Sequence, residues 1–386
     1  MLPMHPQPQP GEILSSWMVR LAFANGFMLH TFYDKLLGYH APIWNRDTDR
    51  DPPITLITLL AQHTGHAVAE LQALTLLPYQ GRLFDMPING HWSWIRPVGV
   101  YHRKRKRPGM QFCPLCLAQS PTTYYRLSWR LALYVVCEHH QCVMEERCPA
   151  CHAPIAFHRH GIGRGKTVDD EALRFCSHCH FNLTSMNPVF GTWPDPPSWE
   201  RLRRIIAAIE QGYWECGPLT PPCCLPFFIG VRALIGVLSG RNGGQLRQHL
   251  GDALGVAIPW HAPGQHDEFE YQPPHVRLIL LLAVAWLLED WPARFLSLCA
   301  QARFTRSRLA EHVDQLPFWL ASVADTHLDQ RRYLPNAAEI QSAGHYLQVQ
   351  GLNVTPRTLT QTLGLSRDYM KLVGQQWKIG EGTDHE

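Results

Sequence analysis

The chain has 386 residues, enough for two or three domains with cores of their own, and 45% of them are apolar against 17% charged. Its 35 Lys and Arg against 32 Asp and Glu leave a formal charge of +3, which excludes a general polyanion binder and confines nucleic-acid contact to local clusters. The longest uninterrupted apolar run, 278–288, is too short to span a membrane.

Residues 1–10 form a Pro/Gln arm expected to be extended. They hold neither a basic segment nor an apolar one, so no signal peptide is expected and the reading is a cytoplasmic protein. Ile13, Leu14, Trp17, Met18, Leu21 and Ala22 then recur at helical spacing, with Glu12 suited to a first turn and Asn25-Gly26 to a left-handed stop. A second helix over about 30–37 should end at Gly38. Helix, short turn, helix is compatible with a helix-turn-helix, and equally with any small bundle. After a charged, Pro-containing linker at 47–53, leucines from Leu56 to Leu77 predict two short helices broken at Thr64-Gly65. Residues 83–102 read as an irregular, aromatic-rich connector. Arg103, Lys104, Arg105, Lys106 and Arg107 follow as five consecutive cations, either a solvated loop or a phosphate contact.

The stretch 113–179 holds eight of the twelve cysteines, most of them in four paired spacings: Cys113-x-x-Cys116, Cys137-x-x-His140, Cys148-x-x-Cys151 and Cys176-x-x-Cys179. Regular cysteine pairs could form disulfides in a small secreted domain, but a histidine completing one pair favours metal ligation. Four two-ligand knuckles supply two tetrahedral zinc ions, the metal that mixed thiolate–imidazole sets favour. Taken in chain order, site one uses Cys113, Cys116, Cys137 and His140, and site two uses Cys148, Cys151, Cys176 and Cys179. An interleaved pairing is left open by the spacing. Two complete sets leave no coordination position for a substrate, which marks structural sites. His139, Cys142, His178 and His180 are adjacent alternates, and Cys216, Cys223, Cys224 and Cys299 are expected to pack as small apolar residues.

Beyond a Pro-rich linker at 188–197, an amphipathic helix is expected over 199–214, with Arg201, Arg203 and Arg204 on one side and Leu202, Ile205, Ile206 and Ile209 on the other. Residues 227–238 and 276–288 read as buried helices, and about 293–308 as another. At 355–373, Thr355-Pro356 suits a helix start, Gly364-Leu365-Ser366 a turn, and Arg367, Tyr369 and Lys371 would be displayed on the following helix. That spacing fits a terminal helix-turn-helix, and equally a hairpin that binds protein. No H-E-x-x-H, P-loop or dinucleotide-binding glycine pattern is present, and the C-x-x-C pairs lack the H-x-E of a zinc deaminase, so no enzyme is expected. The fold class predicted is mainly α: a helix-turn-helix-like bundle (1–102), a double zinc-binding module (103–190) and a C-terminal helical domain (191–386).

The stretch Pro10-Gly-Glu-Ile-Leu-Ser-Ser-Trp-Met-Val-Arg-Leu-Ala22 resembles the opening of the TniQ family, with Ile13 where Ser is more usual. Tyr125-Arg-Leu-Ser-Trp-Arg130 leading into Cys137-x-x-His140 and Cys148-Pro-x-Cys151 is similar to the same family, as is Leu59-Leu-Ala-x-x-Thr-Gly65 through Leu76. The resemblance covers about residues 8–180. It implies a non-catalytic target-selection adaptor of transposons that have a separate transposase and an AAA+ regulator. Such proteins either read a DNA site directly or dock on a CRISPR RNA-guided effector, and members near this length resemble the Cascade-joining subunit, often a homodimer. The implied partners are therefore a Cascade effector with its guide RNA, the AAA+ regulator and target DNA, with the protein on the nucleoid when targeted. Trp129 and Arg130 are implied to brace the zinc module. A zinc-containing transcription regulator is the alternative from another class.

Overall fold

The computed structural model describes residues 1–41, 43, 46–85, 92–98, 108–160, 172–212, 224–260, 268–310, 315–329, 334–365 and 367–381. Among these the chain is helical, and its β pairing is limited to isolated bridges. It divides into two compact units, Met1–Asp329 and Gln330–Glu386, a boundary absent from the sequence reading. In the first unit one cluster of buried side chains runs from Leu2 to Leu328 and joins residues from all three stretches that the sequence reading separates at 102 and 190.

Helix α1 (Leu14–Ala24) buries nearly all of its length, ends at Asn25, and turns through Gly26 at φ 75°. Glycine tolerates that left-handed turn without a Cβ clash. Glu12 is not in the first turn. It precedes the N-cap Ile13, is fully buried, and pairs with Arg20 at 2.5 Å while accepting from Ser16 Oγ at 2.9 Å. Helix α2 (Leu29–Thr31) continues as a π-turn over Phe32–Leu36, and Gly38 closes it at φ 66°. Helices α3 (Ile54–Thr64) and α4 (Val68–Ala73) flank Gly65, and Leu56, Leu60 and Leu71 complete the core. The arm at residues 1–10 is fastened to this bundle: Leu2 N donates to His63 O at 2.7 Å and Trp17 Nε1 to Pro6 O at 2.8 Å.

The connector at 47–53 is an anchor and not a free linker. Arg130 is fully buried, and its guanidinium donates to Asp47 at 2.6 Å and 3.0 Å and to Asp49 at 3.1 Å. Asp49 in turn accepts from Ser15 N and Ser15 Oγ at 2.8 Å and 2.7 Å, which ties the start of α1 to the segment between the knuckles of site one. A buried guanidinium is tolerable only because carboxylates and carbonyls accept its hydrogen bonds and the carboxylates balance its charge.

Helix α5 (Pro114–Gln119) begins within the first knuckle. After site two come α6 (Ser198–Gln211), α7 (Cys224–Ser239), α8 (Gly244–Leu254), α9 (Pro274–Glu289), α10 (Ala293–Gln301), α11 (Arg306–Ala310) and α12 (Phe318–Val323). The helix expected over 293–308 is thus two, separated at Arg303, whose φ is 48°. On α6, Arg203 and Arg204 face solvent, but Arg201 lies on the buried side, held by Asp195 and by Glu289 of α9 at 2.8 Å. Helix α9 docks on the metal-binding region through Arg277: its guanidinium donates to Ala132 O at 2.5 Å, Gln111 Oε1 at 2.7 Å and Gln272 O at 2.8 Å. Glu270, just ahead of α9, accepts from Trp94 N at 2.5 Å and pairs with Arg232 of α7. Among the described residues no single helix is long and apolar enough to cross a membrane.

The second unit packs α13 (Ala337–Val349), α14 (Pro356–Thr362) and α15 (Met370–Glu381) around Ile340, Leu347, Leu359, Val373 and Trp377. Gly344 lies flush against the indole of Trp377, where a Cβ would meet ring carbon Cζ3 at 1.9 Å. Thr355 caps α14 by accepting from Thr358 N at 3.1 Å.

Candidate metal centres

Three of the four knuckles share one backbone turn. The first ligand's carbonyl accepts from the residue four further on (Cys137 from Gln141, Cys148 from His152, Cys176 from His180), at 2.8–2.9 Å. The first ligand's N–H donates to the carbonyl of the residue five further on, Cys142, Ala153 or Phe181, again at 2.8–2.9 Å. Gln141, His152 and His180 each take positive φ, 54–61°, to close the turn. The knuckle at 113–116 is different: Cys113 is the N-cap of α5, Pro114 its first residue, and Cys116 N donates to Cys113 Sγ at 3.4 Å. Pro at the first helical position gives up an N–H that would have no partner there.

These turns bring together Cys113, Cys116, Cys137 and His140 in one group and Cys148, Cys151, Cys176 and Cys179 in another, with the ligand atoms of each within 4.8 Å of one another. The grouping follows chain order and is not interleaved. A tetrahedral ion at about 2.3 Å from sulfur and about 2.0 Å from nitrogen needs donor–donor edges of about 3.5–3.8 Å. In site one, His140 Nδ1 is 3.5 Å, 3.4 Å and 3.5 Å from the sulfurs of Cys113, Cys116 and Cys137, and the Cys116–Cys137 edge is 3.5 Å. Site two shows Cys148–Cys179 at 3.5 Å and Cys151–Cys176 at 3.7 Å. Both groups fit a four-coordinate ion, and each could hold one.

The electrostatics point the same way. Among the thiols of site one, a hydrogen bond from Cys116 brings Cys113 down to about 7, and Cys113 and Cys116 hold Cys137 far below the ordinary thiol range. Cys116, bonded to Cys113, is pushed far up. So many sulfurs at contact distance cannot all ionise without a cation among them. His140 directs Nδ1 to the sulfurs while its Nε2 meets Gln119 Oε1 at 2.8 Å, the outer bond that orients a metal-bound imidazole.

The other candidates lie apart. Arg103, Lys104, Arg105, Lys106 and Arg107, with Cys216 and Cys223, lie outside the described residues. Cys224 is buried with its thiol on Ala208 O at 2.8 Å, and Cys299 is buried in the core. Arg367 and Lys371 are exposed in the second unit, and Tyr369 is half-buried against its core. Trp129 is tied to the segment leading into the first site, its carbonyl accepting from Gln111 N two residues ahead of Cys113, whereas the Arg130 guanidinium bonds Asp47, Asp49 and Arg96 O. Sequence reasoning missed the acceptors Asp47 and Asp49 and the helix-borne Arg277, because their partners stand 81–166 residues away.

Residues 3–144 match the model of the TniQ family. This stretch is similar to a TniQ domain. The match takes in α1 to α5 and all of site one, and stops ahead of Cys148, so site two lies beyond it. A TniQ domain implies an adaptor role associated with transposition. No curated protein matches the chain.

Proposed function

We propose that this chain is a non-catalytic target-selection adaptor, joining a Cascade-type CRISPR effector and its guide RNA to the AAA+ regulator of transposition. The observation that carries the reading is that the TniQ domain and both four-donor sites share one buried core, with the donors of each site converging on a common centre. The ions are proposed to be zinc, which suits a set of three thiolates and one imidazole as well as a set of four thiolates. Bound there, zinc supplies cross-links between distant segments and no reactive position. Cys113, Cys116, Cys137 and His140 hold one ion, and Cys148, Cys151, Cys176 and Cys179 the other. Docking then falls to the helical surfaces, with the protein acting as a homodimer at the DNA target.

Copurification with an effector, its guide RNA and the AAA+ protein tests this. Recovery of both partners supports the linking role; tight, steeply salt-dependent binding to a defined duplex without an effector overturns it. That outcome belongs to the second reading, direct recognition of a DNA site. Its support is the second unit, where α14, a short turn and α15 follow one another and Arg367, Lys371, Gln375 and Lys378 are exposed.

A further inference from the structure

Site one contains a fifth sulfur. Cys142 is fully buried, and its Sγ lies 3.4 Å from Cys113 Sγ. The repeated knuckle turn explains why it is there. Position five of each turn returns beside the first ligand, because its carbonyl accepts that ligand's N–H. In the two knuckles with this turn in site two, the position is filled by Ala153 and Phe181, which have no donor atom in their side chains. Only in site one does it hold a thiol, and the side chain meets the ligand cluster.

A tetrahedral ion takes four of five donors. Three of the four primary ligands, Cys113, Cys116 and Cys137, are buried, whereas His140 is half-buried and its outer nitrogen already bonds to Gln119 on an exposed edge. His140 is therefore the donor that can leave by rotating outward, and Cys142 is the donor that waits in contact with a ligand that stays. Thiolate is also a favoured zinc donor, so the ion would exchange its bond to His140 for one to the Cys142 sulfur, with the thiol proton passing to the freed imidazole and no loss of coordination number. We infer that Cys142 is a reserve ligand of site one, which takes the fourth position when His140 is withdrawn. The consequence is a site that keeps its ion while its histidine is free to engage the surface. This rests on the zinc reading above.

The test uses the full chain as wild type, Cys142→Ser, His140→Ala and the double variant. Zinc per chain is read by native mass spectrometry, and site-one geometry by cobalt substitution. Wild type and Cys142→Ser should each carry about two ions. His140→Ala should also keep about two, with a cobalt spectrum moved toward four thiolates, and the double variant should fall to about one. If His140→Ala already falls to one ion, or the double variant keeps two, Cys142 is no ligand and the inference fails. Wild type carrying fewer than two ions fails the zinc reading itself, and this inference with it. Should His140→Ala not fold, the rate of zinc capture by a chelator decides: Cys142→Ser should release site-one zinc about tenfold or more faster than wild type. Equal rates overturn the reserve-ligand role.

Discussion

Sites one and two are built with knuckles of the same spacing, yet their surroundings differ sharply. Site one has three buried ligands, lies within the TniQ match, and is backed by the Arg130–Asp47–Asp49 anchor and by Arg277 from α9. Site two lies beyond the match, and while Cys148 and Cys176 are buried, Cys151 is half-buried and Cys179 exposed. Closely similar ligand chemistry therefore serves two ends. Both sites adjoin the core of the large unit, but site one buries three of its donors there, whereas site two buries only Cys148 and Cys176 and leaves its other two nearer the surface. The difference comes from what packs behind the turn, not from the turn.

The largest expected effect separates them directly. A structural zinc site contributes on the order of 10 kcal/mol to folding, as much as the whole margin of a typical domain. Cys113→Ser should therefore leave the 1–329 unit without a cooperative thermal transition, whereas Cys148→Ser should retain one at lower temperature and lose one ion. Equal melts for the two variants would erase the distinction. Next, Arg130→Ala strips the buried Asp47 and Asp49 of their cation and should cost about 3–5 kcal/mol in urea unfolding. An effect below about 1 kcal/mol would mean the anchor contributes no more than a surface pair.

Gly344→Ala is the control outside both sites. Forcing a methyl into the Trp377 ring should destabilise the 330–386 unit by about 1–3 kcal/mol while zinc content stays unchanged. A further test concerns pH. Between the knuckles of site two, burial, reinforced by Arg159, pushes His158 down to about 3, and burial with His180 beside it pushes His160 down to about 4. Both stay neutral in the folded protein where an unfolded histidine would charge, so their stabilisation is complete above about 6.5 and lost as pH falls toward 4 and 3. The unfolding free energy measured in urea should drop over that range by up to about 1.4 kcal/mol per pH unit for each proton. Replacing both histidines with Asn should flatten the slope, and an unchanged slope would assign it to other groups.

Much of this was legible in the residues. Spacing alone located all eight candidate donors and favoured their grouping in chain order, because a knuckle is a local turn whose geometry is written within a few positions. Helical periodicity likewise found α1, α3, α7 and α9, whose apolar stripes are long. It missed α8, with the weak pattern Gly244-Gln-Leu-Arg-Gln-His-Leu250, and α13, where Ala and Gln dilute the apolar face. It placed Arg201 on the solvent side because a stripe assigns a charge outward unless its partner is known, and Glu289 is 88 positions away. The buried anchor at Asp47 and Asp49 read as a linker for the same reason. Cys142 had a readable signal: it is the one cysteine that follows two positions after a complete knuckle.

The Arg277 contact has a consequence for the order in which the protein is made. Its acceptor Ala132 leaves the ribosome 145 residues ahead of it, about 7–29 s at ordinary synthesis rates. All eight candidate ligands, the last of them Cys179, are likewise synthesised before Arg277. Under the zinc reading proposed above, the ions can be captured by the nascent chain well before Arg277 is made and α9 docks on this region.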